Sequence, residues 1–300
     1  MIDLPAVFER TPWGLVVVHG PDATSFLQAI VSQDLGPVAV GETVAALLLQ
    51  PQGKLEVAFR ATRRAVADGD AGEGDAGDEW WLDTDPAYAS RLADGLTRYK
   101  IRVKVEIDDR TADSALVSVI GGEPAAAAAG DGLVVTPTTW GDTVGHDVLG
   151  ADAEVRAWAA GAGLRVGTAE ELEVLRIESG VPRLGVDVDD ATIPQEAFLE
   201  VDAVSFTKGC FIGQELVCRI DSRGHVNRFL RRLAVPGRVV PTAGAEVLLG
   251  DKAVGHVTSA VAVPGEDRAV ALAMVRREVE PPADVMIHAA GTPVPATVLP

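Results

Sequence analysis

Cysteine is nearly absent from this 300-residue chain, which has Cys210 and Cys218 and no others. Two are too few for the disulfide framework of a small secreted domain. If the segment between them is helical, a rise near 1.5 Å per residue sets their Cα atoms about 12 Å apart, beyond the span of a disulfide. A reducing compartment, the cytosol, is expected. Basic residues are also scarce: 26 Lys and Arg face 44 Asp and Glu, for a net charge of −18. A field of that sign repels nucleic acid and anionic membrane, so contact with either needs a local basic patch, and direct nucleic-acid binding is not expected. No apolar run approaches the length of a membrane helix. Asp3 and Glu9 near the N-terminus argue against a signal peptide. The histidines at 19, 146, 225, 256 and 288 are scattered, with no HxxxH or CxxC, so no metal site is expected.

What is present is a globular composition, 47% hydrophobic, in a chain long enough for two or three packed domains. The apolar run Leu15–His19 reads as a buried strand, and Gly20-Pro21 then opens a helix with Ala23, Phe26, Leu27, Ile30 and Val31 on one face. Thr43–Leu49 and Leu55–Ala61 flank Pro51-Gln52-Gly53 as a β-hairpin. Acidic, glycine-rich Ala67–Glu79 and alanine-rich Gly121–Gly132 read as loops, with a strand resuming at Trp80 and a helix from about Pro86. Strands are expected over Leu116–Ile120 and Leu133–Thr136. Helices are expected over Asp152–Ala160 and Ala169–Ser179, the second with a capping box from Thr168 and Glu171. After about residue 233, short valine-rich strands at Glu246–Leu249, Val254–Ala260, Ala269–Val275 and Val285–His288 alternate with turns, as in a small β-barrel or sandwich.

Between Arg98 and Val105, basic and apolar residues alternate strictly. A strand there would have one wholly basic face, either a solvated outer face or a wall for an anionic ligand. The solvated face is the commoner meaning of such alternation.

Unusual residues concentrate between Arg176 and Arg232. Glu178, in Arg-Ile-Glu-Ser-Gly-Val-Pro-Arg, sits at a helix C-terminus, where the macrodipole disfavours a carboxylate. Either a ligand with paired N–H donors, such as a pterin edge, or a salt bridge with Arg176 or Arg183 would account for it. These eight residues on their own favour the salt bridge. Lys208-Gly209-Cys210-Phe211-Ile212-Gly213-Gln214-Glu215 places a cysteine two residues from a lysine and just ahead of a helix starting near Gly213. Both features favour thiolate, although a buried structural cysteine is the commoner fate. Cys218, among Leu216, Val217 and Ile220, fits that commoner fate. Arg219, Arg223, His225, Arg228, Arg231 and Arg232 then form a basic island suited to a dianionic or polyanionic tail.

The segment 208–215 resembles the KGCYxGQE signature of the YgfZ family of folate-binding proteins, with Phe211 in place of the usual tyrosine. Arg223-Gly224-His225-Val226-Asn227-Arg228 is similar to that family's RGxxNR element. Glu178-Ser179-Gly180-Val181-Pro182 resembles an ExGxP element shared with the related aminomethyltransferases, and Val254-Gly255-His256-Val257-Thr258-Ser259 their C-terminal VGxVTS hairpin. The resemblance implies an α+β, three-domain cloverleaf of aminomethyltransferase type around a central folate channel. Residues 1–232 would form a folate-binding region of two interleaved α+β domains, and 233–300 the C-terminal β-barrel. It implies tetrahydrofolate as cofactor and a role in assembling or maintaining iron–sulfur enzymes, tRNA-modifying ones included. The expected partners are reduced folate and iron–sulfur enzymes or their assembly proteins. Carried over by position, Cys210 is the functional cysteine and Glu178 the pterin ligand, with Arg228, Arg223, Lys208 and Gln214 completing the folate site. The alternative is a folate-dependent aminomethyl transferase or demethylase. Where that family's catalytic aspartate is expected, this chain has Glu56-Val57, which puts aminomethyl transfer in doubt.

Overall fold

The computed structural model describes residues 2–65, 78–122, 132–289 and 292–300. In chain order the first elements are β1 (Ala6–Glu9), β2 (Gly14–Gly20), α1 (Ala23–Ile30), β3 (Thr43–Leu49), β4 (Leu55–Arg64), β5 (Asp78–Thr84), α2 (Ala89–Thr97) and β6 (Glu106–Asp109). There follow β7 (Ser114–Ile120), β8 (Val134–Trp140), β9 (Thr143–Ala151), α3 (Asp152–Gly161), β10 (Arg165–Val166), α4 (Ala169–Glu178), α5 (Glu200–Ala203) and α6 (Gln214–Arg223). Six strands close the chain: β11 (Arg228–Pro236), β12 (Glu246–Leu249), β13 (Lys252–Ala262), β14 (Arg268–Arg276), β15 (Ala283–Ala289) and β16 (Thr292–Val298).

The strands make two five-stranded sheets, in orders β10-β1-β7-β9-β8 and β3-β4-β5-β2-β6, and a closed barrel, β11-β14-β13-β12-β15-β16. The first two sheets are interleaved in the chain, since β1 belongs to one and β2 to the other. This is the mixed α+β architecture with a C-terminal barrel that the resemblance implied. The barrel takes its first strand from Arg228 onward.

The run Leu15-Val16-Val17-Val18 is apolar throughout because β2 is covered on both faces. Val16 and Val18 pack with Leu27, Trp80, Leu92 and Leu96 under α1 and α2, while Leu15 meets Leu116 and Leu149 of the other sheet. In the barrel, Ala269, Ala271, Ala273 and Val275 of β14 point inward. Val270, Leu272 and Met274 point out onto Val174 and Ile177 of α4. The period of two thus serves two separate cores. The capping box of α4 forms in both directions, between Thr168 and Glu171.

Two expectations change. The alternating stretch 98–105 is not a strand: Arg98 caps α2 and the next residues turn. Arg102 adopts φ +57°, and the carboxylate of Asp22 accepts the Lys104 backbone N–H. The basic side chains part company, Arg98 to Glu56 and Lys100 to Glu106, so no basic wall exists. Alternation misled because a turn stabilised by side chains has no period. Strands β1, β6, β9, β10, β11 and β16 were not expected. The loops at 67–77 and 123–131 lie outside the described residues, and the strand expected at Trp80 starts at Asp78.

Candidate functional site

A cavity of about 620 Å³ lies where the two sheets meet α4. Its walls are Ala45 and Leu47 of β3, Ala58 and Arg60 of β4, Thr138 and Trp140 of β8, and Leu172, Glu173 and Arg176 of α4. The loop Val181–Leu184 and Leu199 complete it. A largely apolar lining with a few placed polar groups, at this size, suits one small organic ligand. Trp140 is part of the lining and 6% exposed, and its indole N–H has no hydrogen-bond partner among the described residues. A buried donor left unmatched in a native fold calls for an explanation.

One end of the cavity is a charged cluster from both sheets. Arg60 sets its guanidinium on Asp83, with Nη2 donating at 2.8 Å, and donates through Nη1 to Asp147. Asp147, 1% exposed, also accepts from the Ser118 hydroxyl and lies 3.8 Å from Arg10. The Arg10 guanidinium rests 4.1 Å over the Trp13 ring and 5.5 Å from that of Trp140, and the Trp13 indole donates to Asp83 at 2.9 Å. Burial by itself would push the Asp147 carboxyl up. Arg60, Arg10 and the Ser118 hydroxyl outweigh it and hold the group below its ordinary range. Burial lowers the Arg10 pKa, against the pull of Asp147.

At the other end, Arg176 joins α4 to the barrel. It donates to Glu173 at 2.8 Å, to Asp187 at 2.7 Å and to the Ser259 hydroxyl at 2.9 Å. Asp187 also accepts from Thr258, Ser259 and the Arg183 N–H. A register shift between Val257 and Ser259 turns both hydroxyls toward this carboxylate. The paired Thr258-Ser259 of the barrel hairpin therefore fixes the loop after α4.

The cysteine segment lies apart from the cavity. Glycine is required at Gly53 and Gly213, with φ +77° and +76°. The hairpin turn and the start of α6 touch backbone to backbone, and a Cβ on Gly213 would come within 2.6 Å of the Gln50 carbonyl. Ser205 and Ile212 donate backbone N–H bonds to Ser32 and Ile30. The Lys208 ammonium donates to the carbonyls of Gln28, Val31 and Gln33 at 2.7–2.9 Å. Burial draws its pKa down to about 8, with Asp34 opposing. Lys208 is thus a clamp that fastens this loop to the end of α1, and its donors are committed to carbonyls instead of the Cys210 thiol. Cys210 itself is exposed, beside Gly209, around which there is open space. Cys218 is partly covered within α6.

None of the six residues singled out in the sequence lines the cavity. Glu178 does form a salt bridge, with Arg268 at 2.8 Å, a partner 90 residues away that no local reading could supply. Arg228 is held by Glu196 at 2.9 Å. Gln214 opens α6 and Arg223 ends it, exposed. With Arg228 on Glu196 and Arg232 on the carbonyls of Glu178 and Pro300, the basic island is partly neutralised. Glu56 is the extra residue of a β-bulge, because Leu48 pairs with Val57 and Leu49 with Leu55. Its carboxylate turns toward α2 and takes Arg98, away from the cavity. The residues that sequence reasoning missed are Arg10, Arg60, Asp83, Trp140 and Asp147. Their only signal is a charge or indole within or beside a strand with buried residues, as in Gly-His-Asp-Val-Leu, and that signal names no partner.

Two interleaved sheets, a central cavity and an appended barrel make a fold of the aminomethyltransferase type. The profile of the glycine cleavage T-protein C-terminal barrel domain matches residues 228–300. The glycine cleavage aminomethyltransferase T of Bartonella henselae superposes with a TM-score of 0.80 over 98% of this chain and 85% of its own, at 20% identity, a likeness of fold. Among sequence relatives, the tRNA-modifying protein YgfZ of Klebsiella pneumoniae is 28% identical over 83% of this chain and 79% of its own. An aminomethyltransferase of Rubrobacter xylanophilus is 27% identical, over 98% and 82%. The mitochondrial iron-sulfur cluster assembly factor IBA57 homolog of Chaetomium globosum is 25% identical, over 77% and 56%. In sequence and fold the chain thus resembles the YgfZ- and aminomethyltransferase-like proteins. Among the described residues, no helix is long and apolar enough to cross a membrane.

Proposed function

We propose that this protein binds a reduced folate, tetrahydrofolate, in the cavity between the sheets and α4. In this reading it serves as an accessory protein in the cytosol for assembling or maintaining iron–sulfur enzymes, those that modify tRNA among them. The observation that carries the reading is the cavity itself: its volume and apolar walls, with a carboxylate at Glu173 and an unmatched indole donor at Trp140. A pterin edge presents adjacent N–H donors that a carboxylate can accept, and Glu173, which takes one bond from Arg176 on each oxygen, keeps acceptor sites for them inside the lining. Arg183, with its side chain 44% exposed, could meet the anionic tail. The name borne by the IBA57 relative supports the iron–sulfur setting, and that of the YgfZ relative the link to tRNA modification.

Calorimetry with tetrahydrofolate tests the ligand and the geometry together. Glu173→Gln is expected to weaken binding by about tenfold or more, the loss of a hydrogen bond to a charged group. Glu178→Gln tests the residue carried over from the resemblance. With its carboxylate on Arg268 and outside the lining, near-wild-type affinity is expected. The reverse ranking would return Glu178 to the pterin, and no binding by the wild type would remove the folate reading.

Aminomethyl transfer is not expected. At the hairpin the only carboxylate is Glu56, which faces α2, and a positioned acid or base typically contributes about 10²- to 10⁴-fold. An assay with the aminomethylated lipoyl carrier protein and tetrahydrofolate should yield no methylene-tetrahydrofolate above background. Ordinary enzymatic turnover would make this protein a one-carbon transferase.

A further inference from the structure

Outside the cavity, the structure presents an aromatic and cationic patch that the folate reading does not use. Phe198 and Phe229 stack with ring centroids 5.4 Å apart and planes 11° from parallel. The Arg231 guanidinium lies over both, 4.8 Å from the Phe229 centroid and 5.3 Å from that of Phe198. Phe198 is 42% exposed and holds φ +58°, a left-handed conformation that a bulky side chain rarely adopts. That conformation turns the phenyl ring outward while its neighbour Leu199 packs inward on the core. Backbone strain of this kind persists where the surroundings enforce it, and it concentrates at functional sites.

Arg231 differs from the other half-buried arginines. Arg10, Arg60, Arg63, Arg64, Arg91, Arg165, Arg228 and Arg268 each lie within 4.0 Å of a carboxylate. Arg232 donates to two carbonyls. Arg231 has no hydrogen bond and no ion pair among the described residues. Burial lowers its pKa, and no acidic group acts against that. In a chain carrying 44 acidic residues, a partly desolvated guanidinium without an anion is a cost that its two ring contacts offset only in part.

We propose that Phe198, Phe229 and Arg231 form a docking site for an acidic segment of a partner protein, with a partner carboxylate on Arg231 and an apolar side chain on the exposed phenyl face. Val201, 70% exposed and hydrogen-bonded through its N–H to the Phe198 carbonyl, extends the apolar side. A carboxylate matches the guanidinium fork, and the rings supply contact area at small entropic cost. A nucleic acid fits less well, because it needs several free cations along a track. Nearby Arg228 and Arg232 are already committed. Since none of the three residues lines the cavity, the site stands whatever the cavity binds.

The test is an NMR titration of the full-length protein, reading the ring signals of Phe198 and Phe229 and the Nε–H of Arg231. The probes are a short capped peptide alternating glutamate and leucine, its lysine counterpart, and a short oligouridylate. The acidic peptide is expected to shift these signals saturably and to weaken with added salt. Arg231→Gln should reduce its affinity by about tenfold or more, while the melting temperature changes little, since the variant loses the two ring contacts but no hydrogen bond or ion pair. The other two probes should leave the signals unmoved. Absence of binding by the acidic peptide, or equal binding by Arg231→Gln, overturns the proposal. So does a preferential shift with oligouridylate, or a concentration-dependent shift without any probe, which would assign the patch to nucleic acid or to a second copy of this chain.

Discussion

Replacing Asp147 with alanine is expected to destabilise the protein by about 3–5 kcal/mol, the cost of leaving a buried charge without its partner. Asp147 is 1% exposed and receives Arg60, Ser118 and, at longer range, Arg10. Its loss leaves Arg10 without an ion pair, whereas Arg60 keeps Asp83, so the lower end of the range is the better expectation. Urea unfolding measures it, and a loss under about 1 kcal/mol would mean that the cluster is worth no more than a surface pair. The sign of the pH dependence follows from the depressed pKa of Asp147 in the fold. Unfolded, the group titrates near about 4. Its stabilising contribution is therefore complete above that pH and is lost as the pH falls through the unfolded and then the folded value. Asp147→Asn should flatten this part of the acid-unfolding profile. An unchanged profile would place the acid sensitivity elsewhere.

Changing Cys210 to alanine is expected to abolish rescue of iron–sulfur enzyme activity in cells lacking the protein, with tetrahydrofolate affinity kept within about twofold, well under 1 kcal/mol. The thiol lies on an exposed loop outside the cavity, so its loss removes no wall of the site. Accessibility also sets the order of alkylation: peptide mapping should find Cys210 labelled before the partly covered Cys218. Full rescue by Cys210→Ala would make the segment a packing feature and leave the iron–sulfur role without its residue. Lys208→Met supplies a contrast. It removes the clamp on the Gln28, Val31 and Gln33 carbonyls, so rescue should fall together with thermal stability, whereas Cys210→Ala should leave the melting temperature in place.

The sequence by itself determined the elements whose information is local. A capping box needs residues three apart, so α4 was legible from Thr168 and Glu171. A hairpin needs two apolar runs and a turn, so β3 and β4 were legible around Gly53. The segment 208–215 was legible as a motif, and its Gly213 answers a contact between one turn and one helix start. Only the tertiary structure decided where the carboxylates go. Glu178 meets Arg268, Arg60 meets Asp83 and Asp147, and Arg176 meets Asp187 and Ser259, across separations of 90, 23, 87, 11 and 83 residues. No periodicity or spacing rule reaches that far, because an ion pair depends on which strand edges and helix ends the packed cores bring together. The bulge at Glu56 has the same character: one extra residue against β3 turns a carboxylate from the cavity to α2. The composition of the chain limits what it can be, but the direction each charge faces is a property of the cores once they are packed.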